Sequence, residues 1–229
     1  MTLSDFQRWL NAHGARLKVD GLAGPATRAA VLSVFANPKA KAVTPADVNT
    51  LASRICISPQ QLAAIATVES GGAGYGPTGL PKILWERHWF WRKTAGRFGL
   101  TGYSNPNPGG YTLDADKNGI NDSWEKLAAA AMRDPLRAFE CCSWGKFQIM
   151  GFHAASIGFA NAVEMAWAMR ESEAAHYAAL AGFIQANGLL GPARRLSTNP
   201  ETCRDFAKGY NGAGYRKFAY HEKLARAMR

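Results

Sequence analysis

The run Ser58-Pro59-Gln60-Gln61-Leu62-Ala63-Ala64-Ile65-Ala66-Thr67-Val68-Glu69-Ser70-Gly71-Gly72 decides how this chain folds. Ser58 with Gln61 is a capping box, and Pro59 takes the first helical position, where its missing N–H costs nothing. Leu62, Ile65, Ala66 and Glu69 fall at offsets 0, 3, 4 and 7, so they share one helix face. Three of the four are apolar, and that face should look at a core. The helix stops at Gly71-Gly72. Glu69 is thereby drawn toward a poorly solvated place in the last turn, where the helix dipole is negative. Both effects disfavour the carboxylate and should raise its pKa. A carboxyl that keeps its proton near neutral pH suits general acid catalysis of glycosidic cleavage. Periodicity alone also allows a structural Glu, bonded to a nearby backbone group or arginine.

Downstream, residues 71–110 are rich in Gly, Pro and aromatics and should form loops with a short irregular sheet or hairpin. Helical patterns follow over about 123–134, 145–155, 161–171, 173–187, 200–209 and 215–228. Upstream, Thr44-Pro45-Ala46-Asp47 starts another helix. Asn37-Pro38-Lys39-Ala40-Lys41 reads as a linker region, placed at 39–43. Residues 1–38 read as a small helical module. Phe6, Trp9 and Leu10 sit at helical spacing with Ser4 as a cap, and a second helix covers Thr27 to Phe35. So short a module buries little surface by itself. The fold class is therefore mainly α: a small N-terminal helical bundle module, 1–38, ahead of a larger α-rich (α+β) domain, 44–229.

With 47% hydrophobic and 19% charged residues, the 229-residue chain suits a packed core and not a disordered coil. The net charge of +10 asks for a polyanion: nucleic acid, an anionic membrane face or an anionic envelope polymer. No basic run of five exists to mark a nucleic-acid patch. No apolar run reaches the roughly 18–20 residues that span a bilayer. Met1-Thr2-Leu3-Ser4-Asp5 lacks the basic-then-apolar start of a secretory signal. Cys56, Cys141, Cys142 and Cys203 contain no C-x-x-C pair and read as free thiols. His88, His153 and His176 are far apart and no H-E-x-x-H occurs, which argues against a zinc amidase. Asp114-x-Asp116-x-Asn118-Gly119, with Asp122 and Glu125, resembles a calcium loop, but Asn121 stands where an apolar residue is usual. A polar surface turn is the preferred reading, and no metal or cofactor is expected.

Three blocks resemble the goose-type and lytic-transglycosylase branch of the lysozyme superfamily: Glu69-Ser70-Gly71, Ser143-Trp144-Gly145-Lys146-Phe147-Gln148-Ile149-Met150, and Tyr210-Asn211-Gly212. Val68-Glu69-Ser70-Gly71-Gly72 and Gly79-Leu80-Pro81-Lys82-Ile83-Leu84-Trp85-Glu86-Arg87-His88 most resemble the phage N-acetylmuramidase family of endolysins, over about residues 45–228. Lys146 stands where the related branch usually has an apolar residue.

The resemblance implies a lysozyme-like domain that cleaves the glycan strands of bacterial peptidoglycan, with Glu69 as the acid. Glu86 is the first candidate for a second carboxylate, with an ion pair to Arg87 or another cation as its structural alternative; Glu140 is a weaker candidate. Ser143, Gln148, Tyr210 and Asn211 are implied to line the sugar site, since amides offer both donors and acceptors to neutral sugars. Trp144, Trp85, Trp89 and Trp91 are read either as stacking platforms or as core. Residues 1–38 resemble a helical peptidoglycan-binding domain through Phe6-Gln7, Asp20-Gly21, Gly24-Pro25 and Thr27, so Asp20, Gly21, Gly24 and Thr27 are its candidate wall contacts. The expected partner is peptidoglycan, without nucleic acid or stable membrane insertion, and the expected state is a monomer. The expected location is the host cytoplasm, until another factor such as a holin opens the way to the wall. A lytic transglycosylase giving 1,6-anhydromuramic products and a non-catalytic wall binder are the alternatives.

Overall fold

A computed structural model describes residues 1–229. The elements in chain order are α1 (Leu3–Ala12), α2 (Pro25–Phe35), α3 (Pro45–Arg54), α4 (Pro59–Glu69), β1 (Ile83–Trp85), α5 (Arg87–Lys93), α6 (Asp122–Ala131), α7 (Pro135–Glu140), β2 (Cys142–Trp144), β3 (Ile149–Met150), α8 (Ala162–Glu171), α9 (Glu173–Ala186), α10 (Leu190–Arg194), α11 (Pro200–Asn211) and α12 (Tyr220–Ala227). Short 3-10 turns cover Gly151–His153, Ala155–Ile157 and Gly212–Tyr215. Helices dominate, around one small antiparallel sheet of order β1-β2-β3.

The helix starts obey local chemistry. Ser58 and Gln61 form the capping box of α4, and Thr44 with Asp47 does the same for α3, each with Pro at the first position. At α1 the cap is Thr2 with Asp5, not Ser4; the helix begins two residues earlier than the periodicity implies. The segment 145–155 is not a helix. Gly145 and Gln148 both adopt positive φ, +69° and +50°, so the chain turns and returns as β3. Left-handed backbone at two nearby positions breaks any α-helix there. The helix foreseen over 215–228 starts only at Tyr220, because Ala219 just before it is left-handed, with φ +52°. Residues 71–110 contain β1, as foreseen, and also α5.

In the sheet, Ile83 pairs with Trp144, Leu84 with Ser143, Trp85 with Cys142 and Ser143 with Met150. Ile83, Trp85, Cys142, Trp144 and Ile149 therefore share the buried face, and Leu84, Ser143 and Met150 the other. One hydrophobic core runs through the whole chain. It includes Phe6, Leu10, Val31 and Phe35 of the first two helices. The Phe35 ring lies 5.1 Å from Phe139 and 5.7 Å from Trp124, and the Trp9 Nε1–H donates to Glu164 at 2.8 Å. Residues 39–43 are stitched in as well: Glu173 N–H donates to the Lys41 carbonyl, and Val43 N–H to the Glu173 carboxylate. No helix is long and apolar enough to cross a membrane.

Candidate active site

Glu69 is the last residue of α4, and its side chain is half-buried. Burial pushes its pKa up to about 7, against the lowering effects of an Asn211 hydrogen bond and of the Lys223 charge. The Asn211 Nδ2–H donates to Glu69 Oε1 at 2.9 Å. Asn211 ends α11, so the last residue of one helix meets the last residue of another. Tyr210, next to it, stacks on Phe206 and meets Phe183 edge-on. Its hydroxyl pKa is raised by burial and by the nearby Glu69 charge. The hydrogen bond to Glu69 comes from Asn211 and not from Tyr210.

Beyond Glu69 the chain leaves the helix, and Gly71 N–H donates to the Lys146 carbonyl at 3.1 Å. This contact joins the acid to the hairpin turn between β2 and β3. Within that turn Ser143 Oγ–H donates to Gln148 Oε1 and Gln148 Nε2–H donates to the Gly145 carbonyl, both at 2.8 Å. Gln148 is exposed and braced at both ends of its amide, leaving one N–H and one lone pair free for a ligand. Ser143 is buried and serves the brace. A cleft of about 570 Å³ opens here, lined by Gly71, Lys82, Leu84, Lys146, Gln148 and the Leu113–Asn121 loop.

Glu86 lies at the other end of β1. Its Oε2 accepts from the Tyr111 hydroxyl at 2.7 Å and stands 3.2 Å from His88 Nδ1. Arg87 does not pair with it; that guanidinium donates to the Asn107 and Pro108 carbonyls. No hydrogen bond links Glu86 to Glu69. Glu140 is held by Arg137 at 2.6 Å and Lys93 at 3.3 Å.

Trp144 is not a sugar platform. Its ring is fully buried, stacked on Phe139 and edge-on to Trp124, with Nε1–H on the Phe139 carbonyl. Trp85 is likewise core, whereas Trp89 and Trp91 keep half-exposed rings. In the N-terminal segment, Thr27 is buried and cannot touch a wall polymer. The buried Gln7 explains its presence: the Gln7 amide donates to Asp20, Leu22 and Thr27 and accepts from the Asp20 and Gly21 N–H groups. A Cβ on Gly21 would stand 2.7 Å from Ser4 Oγ, and its φ is +71°. These motif residues hold a turn; Asp20 and Gly24 remain on its surface. In the Asp114–Gly119 loop, the carboxylates of Asp114 and Asp116 accept from Asn118 and Gly119 N–H groups.

The family model for N-acetylmuramidase matches residues 58–229. The chain belongs to the N-acetylmuramidase family. The match begins at Ser58, the cap of the helix that carries Glu69, and takes in the hairpin and the Tyr210-Asn211 pair. The chain is also similar, at 32% identity and a TM-score of 0.71, to the crystal structure of the Burkholderia AP3 phage endolysin, covering 99% of this chain and 92% of that one. That likeness extends over residues 1–38. A comparison with curated proteins found no match.

Sequence reasoning missed three residues around the muramidase site. Lys223 bears on the charge of Glu69 from α12. Tyr111 holds Glu86 across 25 residues of sequence. His176 braces the hairpin turn from α9. None lies within a recognisable local motif, since each acts through a contact distant in sequence. Gly145 was the one available signal, because an obligate glycine implies something pressed against it.

Proposed function

We propose that this N-acetylmuramidase cleaves the β-1,4 bond between N-acetylmuramic acid and N-acetylglucosamine in bacterial peptidoglycan, with Glu69 as general acid. The observation that carries this is the Glu69 carboxyl itself: its pKa pushed up to about 7 by burial, at a helix end, oriented by Asn211, two residues before Gly71 on the wall of an open cleft. Such a group donates its proton to the departing glycosidic oxygen as the C–O bond breaks. Lys223 then favours the carboxylate that remains. Gln148 and Asn211 supply polar contacts for the sugar acetamido groups. The positive charge draws the protein to an anionic envelope polymer.

Glu86 is the candidate to activate water, held ready by the Tyr111 hydroxyl. Mass spectrometry of peptidoglycan digests tests this step. Reducing-end muramic acid is expected. Products ending solely in 1,6-anhydromuramic acid would mean that the substrate's own hydroxyl attacks, and Glu86 would lose its role.

A further inference from the structure

His176 lies in α9 with its ring fully buried, and no step above uses it. Its two ring nitrogens face groups of opposite kind. Nδ1 is 2.9 Å from the Lys146 N–H and must accept; Nε2 is 2.9 Å from the Met169 carbonyl and must donate. Only the neutral tautomer with its proton on Nε2 satisfies both. Burial agrees, pushing the His176 pKa down to about 4. The charged or polar groups around the ring are Glu173 on its own helix, Lys146 on the hairpin turn and Tyr75 on the loop after α4.

The ring is wedged between two glycines. A Cβ on Gly145 would stand 2.4 Å from Nδ1, and one on Gly74 would stand 2.9 Å from Cε1. Those glycines belong to the hairpin turn and to the loop that follows Glu69. Lys146 is held twice by α9: its N–H by His176 and its ammonium by Glu173 at 2.8 Å. Its carbonyl in turn accepts from Gly71 N–H, two residues beyond Glu69. A continuous path therefore runs from the end of α8 through the His176 ring and the Lys146 peptide to the helix end that carries the acid.

We propose that His176 is a positioning residue for Glu69, its ring pinning the Lys146 peptide and, through it, the Gly71 step that seats the acid at the cleft. The inference rests on Glu69 being the general acid. Two amide replacements divide the ring's functions. His176→Asn sets an acceptor near the Nδ1 position and keeps the Lys146 link. His176→Gln sets its amide near the Nε2 position and keeps only the Met169 link. For both, kcat and KM on solubilised peptidoglycan are measured across pH, with melting temperature alongside.

The alkaline limb of kcat reports loss of the Glu69 proton. His176→Asn is expected to keep the wild-type kcat and limb. His176→Gln is expected to lower kcat on the order of 10–100-fold, as a misplaced acid does, with KM little changed. Its limb should move to lower pH, because a loosened Gly71 step admits water to Glu69. Equal losses in the two variants, or a wild-type limb and kcat in His176→Gln, would overturn the proposal. In the wild type, ring 15N signals should show the Nε2–H tautomer and the Gly71 amide should exchange slowly; an Nδ1-protonated ring or a fast Gly71 amide overturns it without any variant. Glu69→Gln in the same assay separates the two readings. An active Glu69→Gln protein sinks the acid assignment; an inactive one, with matched Asn and Gln variants, sinks only the positioning role.

Discussion

Glu69 joins stability and chemistry in one side chain. Its folded pKa of about 7 is above the ordinary value of 4.5, because burial penalises the carboxylate. The folded state therefore binds more protons than the unfolded one between these values, and stability is lost as pH rises from about 4.5 through about 7. Glu69→Gln, which cannot ionise, should escape that loss. We expect the variant to melt above the wild type at pH 8, by the equivalent of roughly 1–2 kcal/mol after allowing for solvent screening. The gap should close below about pH 4.5, where both side chains are neutral. Equal melting temperatures at pH 8 would contradict a desolvated carboxyl. The position of this residue was legible from periodicity, since Leu62, Ile65 and Ala66 are all buried on its face. Trp144 shows where such reading stops. An aromatic in a sugar-site motif is equally suited to stacking on sugar or on Phe139, and only the strand register decides which.

At the scale of elements, helices with strong caps were readable to within a residue or two: α3, α4 and α8 start where Thr44, Ser58 and Asn161 stand. The hairpin β2–β3 was not readable, because its helix-like apolar spacing is overruled by positive φ at Gly145 and Gln148. Short α5, α7 and α10 carry too few turns to register a period. The hairpin also yields a prediction. Gly145→Ala places a methyl group 2.4 Å from His176 Nδ1 at a backbone position of φ +69°. The left-handed backbone alone costs Ala on the order of 1–2 kcal/mol, and the clash adds to it. Thermal melting should fall accordingly, and the residual folded enzyme should lose activity. A variant as stable and active as wild type would show that the turn is not clamped.

For the whole molecule, the N-terminal segment is part of one core. The Gln7 knot was visible as a motif, but nothing within residues 1–38 announces that Phe35 meets Trp124, Phe139 and Trp167. Phe35→Ala should therefore destabilise the entire protein by about 3–5 kcal/mol. Unfolding should remain one transition by both tryptophan fluorescence and far-UV circular dichroism. Two separated transitions would instead mark residues 1–38 as an autonomous module.

The most direct measurement compares wild type and Glu69→Gln on purified peptidoglycan, following released muropeptides, with circular dichroism to establish that both are folded. Wild type should release fragments at a rate that declines above about pH 7, as Glu69 loses its proton. Glu69→Gln should release none. Fragment release by the folded variant at the wild-type rate would contradict the assignment of Glu69 as the acid.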